Sequence, residues 1–105
     1  MKVSRIGKLY KPTMCFWFFY PSQQAAFSAN LSHNQNEGDA QRGANYWSRE
    51  LGCKIYLIPP QSIFVLLELD HVFYLRKVLT EAGEIGWIHV PSWANDDIQE
   101  VNQCA

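Results

Sequence analysis

Three cysteines, three histidines and ten carboxylates are the groups in this chain that could attack, carry protons or hold a metal. They allow one nucleophilic constellation, with Cys15 or Cys53 attacking, His71 or His89 as base, and Asp70 or Asp97 orienting it. Neither cysteine is followed by a helix-start pattern that would lower its pKa, and the sequence has no Gly-rich elbow or phosphate loop. The chain therefore reads as non-enzymatic. His33, His71 and His89 are 38 and 18 residues apart, with no acidic or thiol partner at ligand spacing, so neither a metal nor a cofactor is expected. Cys15, Cys53 and Cys104 are odd in number and widely spaced. They read as two half-buried thiols and one exposed near the C-terminus, not as a disulfide framework. Asp96, Asp97 and Glu100 read as a charged edge that blocks strand pairing.

Composition narrows the function classes. With 105 residues, 48% hydrophobic, 14% aromatic and 18% charged, the chain is expected to form one domain spanning residues 1–105 around one core. A formal charge of −1 leaves no cationic footprint for phosphates, so nucleic acid is not an expected partner. Lys2, Arg5, Lys8 and Lys11 before "CFWFFY" imitate a charged leader and apolar core. That run is about six residues long and closed by Pro21, too short for a signal core or for a membrane span of roughly 20 residues. A cytoplasmic protein without membrane contact is the expectation.

Any site must be positioned by strands. "RIGKLY" and "MCFWFFY" read as two short strands separated at Lys11-Pro12-Thr13, where the proline breaks the ladder. The aromatic run Cys15 to Tyr20 is expected to be buried on both faces or centrally paired. Residues 21–51 turn polar and read as a long loop insertion. In its second half Asp39 is a candidate N-cap, Ala40, Ala44, Trp47 and Leu51 share one helical face, and Gly52 can close a short helix, although Gly43 weakens it. Trp47 is read as a peg fastening the insertion to the barrel.

After "CKIYLI", Pro59 to Ser62 makes a turn, and "IFVLLEL", "VFYLRKVL" and "EIGWIHV" follow as strands. These are joined by a corner at Asp70-His71 and a hairpin at Thr80 to Gly83. "DDIQEV" can add a last edge strand. Trp87 is expected to be at least half buried, and Trp93, after Pro91, to be partly exposed. The fold class is mainly β, a small barrel of five to seven short strands.

The order "SIFVLLELD", "VFYLRKVL", "TEAGEIGWIHV" and "DDIQEV" resembles the second half of an SH3-like domain, and "GEIGWIHV" is similar to the Gly-Trp segment of bacterial and eukaryotic members. "GKLYKP" would match the first strand, and residues 21–51 would occupy the RT-loop position. The resemblance implies a ligand-binding aromatic surface. Phe73 and Tyr74 fall near the family's tryptophan pair and Tyr10 near its first-strand tyrosine. His89 and Ser92 stand where the polyproline groove would need proline and tyrosine, which puts that ligand in doubt. With Trp93 on the neighbouring turn, the candidate ligand-binding set is Tyr10, Phe73, Tyr74, His89 and Trp93. The expected partner is a protein or peptide. The competing reading is a homo-oligomer, a homodimer in its simplest form, built on the aromatic strand and the insertion.

Overall fold

The structure, a computed structural model, describes residues 5–101, so Cys104 lies outside the described residues. Within them the fold is mainly β, with eight strands in two antiparallel sheets. The meander follows the expected pattern. β5 (Phe64–Asp70), β6 (Leu75–Thr80) and β7 (Ile85–His89) pair in sequence, with a bulge between Leu66 and Glu68. The hairpin between β6 and β7 turns at Gly83, whose φ of +82° is strained for any residue with a Cβ. The first strand, β1 (Leu9–Pro12), enters beside β5, and the last, β8 (Ile98–Glu100), pairs with β1 at the edge. The sheet order is therefore β7-β6-β5-β1-β8. Pro12 ends β1 without isolating it, because its carbonyl accepts from Gln61 N at 2.7 Å.

The second sheet is built by the aromatic run. β2 (Phe16–Phe19) lies between β3 (His33–Asn34) and β4 (Tyr56–Ile58). Its faces feed two cores, as a strand without a polar alternation must. Trp17 and Phe19 pack with Phe64, Leu66, Val78 and Ile88 of the large sheet, while Phe18 and Tyr20 pack with helix alanines, Ile55 and Leu75. One β-bridge, with Tyr20 and Trp87 exchanging two 2.8 Å main-chain hydrogen bonds, ties β2 to the outer side of β7. Among the described residues this bridge is the one main-chain pairing between the two sheets, so the strands do not close into a continuous barrel.

Residues 21–51 are not mainly loop. They hold α1 (Gln23–Ala29), β3 and the 15-residue α2 (Glu37–Leu51). Ser22 Oγ caps α1 by accepting from Ala25 N at 3.1 Å, and Asn30 ends it in the left-handed region. α2 starts earlier than Asp39 suggests. Asn36 Oδ1 accepts from Asp39 N at 2.9 Å, and Glu37 and Asp39 fall in the first turn, where the helix dipole favours acids. Ala40 and Ala44 are buried, and Trp47 and Leu51 pack half-buried on the same cluster. Trp47 thus pegs the helix to the core, and Gly52 terminates it as expected.

Candidate functional site

α1 carries its alanines inward and leaves Phe27 facing out. The turn from Asp70 to Tyr74 rises opposite it. Asp70 Oδ1 accepts from Val72 N (3.0 Å) and Phe73 N (3.3 Å), a short carboxylate-centred turn that replaces the expected tight corner. Tyr74 then takes φ +57°, uncommon for an aromatic residue, and its carbonyl is held by Val90 N at 2.8 Å. The side chains of Val72, Phe73 and Tyr74 are consequently turned to solvent. Phe27 meets Phe73 edge to face with centroids 4.9 Å apart, a favoured aromatic geometry.

Between these elements runs an open groove of about 430 Å³, lined by Phe27, Asn30, Val72, Phe73, Tyr74 and His89 with apolar residues behind them. His89 lies opposite Leu75 in the β6–β7 ladder, which places its ring at the base of the groove. Its Nδ1 is buried with no hydrogen-bond partner, and burial lowers the ring's pKa. Contiguous exposed apolar side chains over a buried polar group are the usual mark of a contact surface in a small domain.

Of the five residues chosen from sequence, Phe73, Tyr74 and His89 come together here. Tyr10 does not. It is 4% exposed, it stacks on Phe64 at 6.3 Å, and its hydroxyl accepts from Arg5 N at 2.6 Å, so it is a core residue and not a groove residue. The physical reason is that β1 is flanked by β5 and β8, and the alternation of its side chains sends Tyr10 inward. Trp93 is exposed, as expected, but belongs to a second feature and does not line the groove. Phe27 and Asn30 were missed. The available signal was the alanine face Ala25, Ala26, Ala29 behind the Ser22 cap, which would have put Phe27 on the outer face of a helix.

The second feature is an aromatic stack on a carboxylate anchor. The His33 ring stacks on buried Trp17 with centroids 4.7 Å apart, and Trp93 lies tilted to the same ring at 5.6 Å. Ser32 Oγ is hydrogen-bonded to His33 Nδ1 at 2.8 Å. Trp93 reaches it from the 3-10 turn Ser92–Asp97, which closes on Asp97. That residue is not a repelling edge charge. Its Oδ1 accepts from Thr13 Oγ1 and Met14 N, and its Oδ2 from Trp17 Nε1 and Cys15 N. Glu100 is likewise engaged, accepting from Arg5 Nη2 at 2.9 Å.

Cys15 lies within this anchor. Burial first, and then the Asp97 charge, push its thiol up, so it is held neutral, the reverse of an activated nucleophile. Cys15 is buried and Cys53 half-buried, and both are free. Among the described residues, no group of three or more His, Cys, Asp or Glu side chains could hold a metal ion.

Burial lowers the pKa of both His33 and His89; for His33 the Asp97 charge opposes the shift in part. A lowered folded-state value means that the unfolded chain binds the proton more readily. The resulting stability is present above the ordinary value of 6.5 and is lost as pH falls from there to the folded-state value. The melting temperature should therefore decline as pH is lowered from about 7.5 to about 5. A flat profile over that interval would contradict the burial of both rings.

Compared with known proteins, the chain matches no family model, no curated sequence and no solved structure.

Proposed function

We propose that the chain is a non-enzymatic binding or assembly module, an SH3-like β-domain whose sheets stay open and whose groove between α1 and the Asp70 to Tyr74 turn engages a protein or peptide partner. The observation that carries this reading is the convergence of Phe27, Val72, Phe73 and Tyr74, from two separate elements, into one exposed apolar groove over His89. The strand order supports the SH3-like part: a turn, a three-stranded meander, a first strand paired into it, and a last strand at its edge are what the resemblance implies. His89 at the base of the groove is one reason the partner is not expected to be polyproline. The free thiols at Cys15 and Cys53 accord with a reducing, cytoplasmic setting. Among the described residues no helix is long and apolar enough to cross a membrane.

Self-association is the competing use of the same surface. β2 is enclosed between its own chain's large sheet and helices, so a second copy would have to meet the exposed residues of the insertion and the turn. Panning a displayed random-peptide library against the protein tests the first reading. Selected peptides should lose about tenfold or more in affinity with Phe27→Ser or Phe73→Ser, both exposed positions whose replacement costs about 1 kcal/mol of stability through the lost edge-to-face contact. Peptides indifferent to both substitutions would reject the groove. In sedimentation, a dimer abolished by Phe27→Ser would favour self-association instead.

A further inference from the structure

The groove carries polar side chains at Asn30, Tyr74 and His89, and one of them holds a buried atom with no partner. His89 Nδ1 is the one buried side-chain nitrogen or oxygen without a hydrogen-bond partner among the described residues. A neutral imidazole carries one proton, and an N–H sealed from water without an acceptor is the costlier orphan; an unused lone pair is more readily tolerated. The proton therefore belongs on Nε2. That nitrogen is not among the buried atoms without a partner, and His89 lines the groove. With the proton there, His89 adds an N–H donor to the Asn30 amide and the Tyr74 hydroxyl among the groove's polar groups.

The surroundings decide what can accept from it. None of the lining residues, Ala26, Phe27, Asn30, Val72, Phe73, Tyr74, Leu75 and His89, is acidic or a lysine or arginine. A carboxylate or phosphate seated there would lose water without gaining a cation, whereas an amide carbonyl needs only the one donor. The Phe27–Phe73 edge-to-face pair supplies an apolar wall beside it. A neutral carbonyl next to an apolar side chain is the repeating unit of an extended polypeptide. We propose that the groove recognises an uncharged, extended polypeptide segment, one main-chain carbonyl accepting from His89 Nε2–H while an apolar side chain lies against Phe27 and Phe73. This rests on the groove being the binding surface.

Two measurements on the unmodified protein test it. Long-range ¹H–¹⁵N correlation of the ¹⁵N-histidine-labelled chain at neutral pH should show the Nε2–H tautomer at His89; the Nδ1–H tautomer would overturn the proposal. The second is a titration with N-acetylphenylalanine methylamide, N-acetylphenylalaninate and ethylbenzene, followed at the amides of Phe27, Phe73, Tyr74 and His89. The methylamide should bind about fivefold or more tightly than either of the others, the range a single hydrogen bond supplies. Equal binding of ethylbenzene would remove the carbonyl contact, and equal or tighter binding of the carboxylate would remove the preference for an uncharged segment; either overturns the proposal and leaves the groove standing. If no probe moves those amides, both the groove reading and the proposal fall.

Discussion

Gly86→Ala is expected to be among the most damaging single-methyl additions to this fold, lowering stability by about 2–4 kcal/mol. A Cβ at position 86 would lie 2.7 Å from Phe19 Cε2, and closer still to Phe19 Cζ and to the main-chain oxygen of Tyr20. A ring can swing aside, but a main-chain carbonyl moves only with its strand. That carbonyl is also the acceptor of the 2.8 Å bond from Trp87 N, one of the pair that ties β2 to β7. Relieving the clash thus means parting the two sheets where they are hydrogen-bonded. Overpacking costs roughly 1–3 kcal/mol and each lost hydrogen bond about 1. Alanine's better strand propensity returns at most about 1 kcal/mol, so the clash decides the sign. Urea denaturation measures this as a drop in midpoint, and an unchanged or raised midpoint would show that β2 does not pack against β7 as described.

Asp97→Ala is expected to cost about 2–4 kcal/mol and to loosen the turn that carries Trp93. Four donors converge on this carboxylate, and they are unequal. Met14 N is at the surface and would be rehydrated, but the indole N–H of fully buried Trp17 would lose its acceptor with no water to replace it. Asp97→Asn should fall between the two, because an amide nitrogen would face donors where an oxygen now accepts. The carboxyl also has a pH signature. Burial pushes its pKa up, but the hydrogen bonds, led by that from Trp17, together outweigh burial and hold it below the usual 3.8. Its contribution is therefore complete above that value and is lost as pH falls through the folded-state pKa. Acid unfolding of Asp97→Ala should lack this component, and Trp17 emission should shift to the red. A variant with unchanged stability and an unchanged acid limb would refute the anchor.

These two positions also mark where sequence reading stops. Gly86 was visible as a glycine within a strand, which signals close approach by something, but its neighbour is Tyr20, 66 positions earlier in the chain. Asp97 was misread for a related reason. Next to Asp96, and with Glu100 nearby, it has the appearance of a solvated charge, and its four donors belong to the β1–β2 connection and to β2. The helix in the second half of the insertion was legible from Ala40, Ala44, Trp47 and Leu51, but α1 was read as loop because it buries only alanines, which give almost no hydrophobic periodicity; the Ser22 cap was the better signal. Phe73, Tyr74 and His89 were chosen through the resemblance, and the β6–β7 ladder, which sets His89 opposite Leu75, is what brings them together.

The sequence by itself determined the β-meander from Phe64 to His89, the burial of the aromatic strand on both faces, and the hairpin turn at Gly83. Each follows from a period of two, from turn chemistry, or from the absence of any polar face, and these are properties of adjacent residues. Tertiary structure alone decided that Tyr10 points inward, that Phe27 completes the groove, and that Asp97 is an anchor. Those outcomes depend on which face of a strand or helix meets a partner dozens of residues away. The physical reason is that burial and hydrogen-bond satisfaction are settled between elements, while propensity is settled within them.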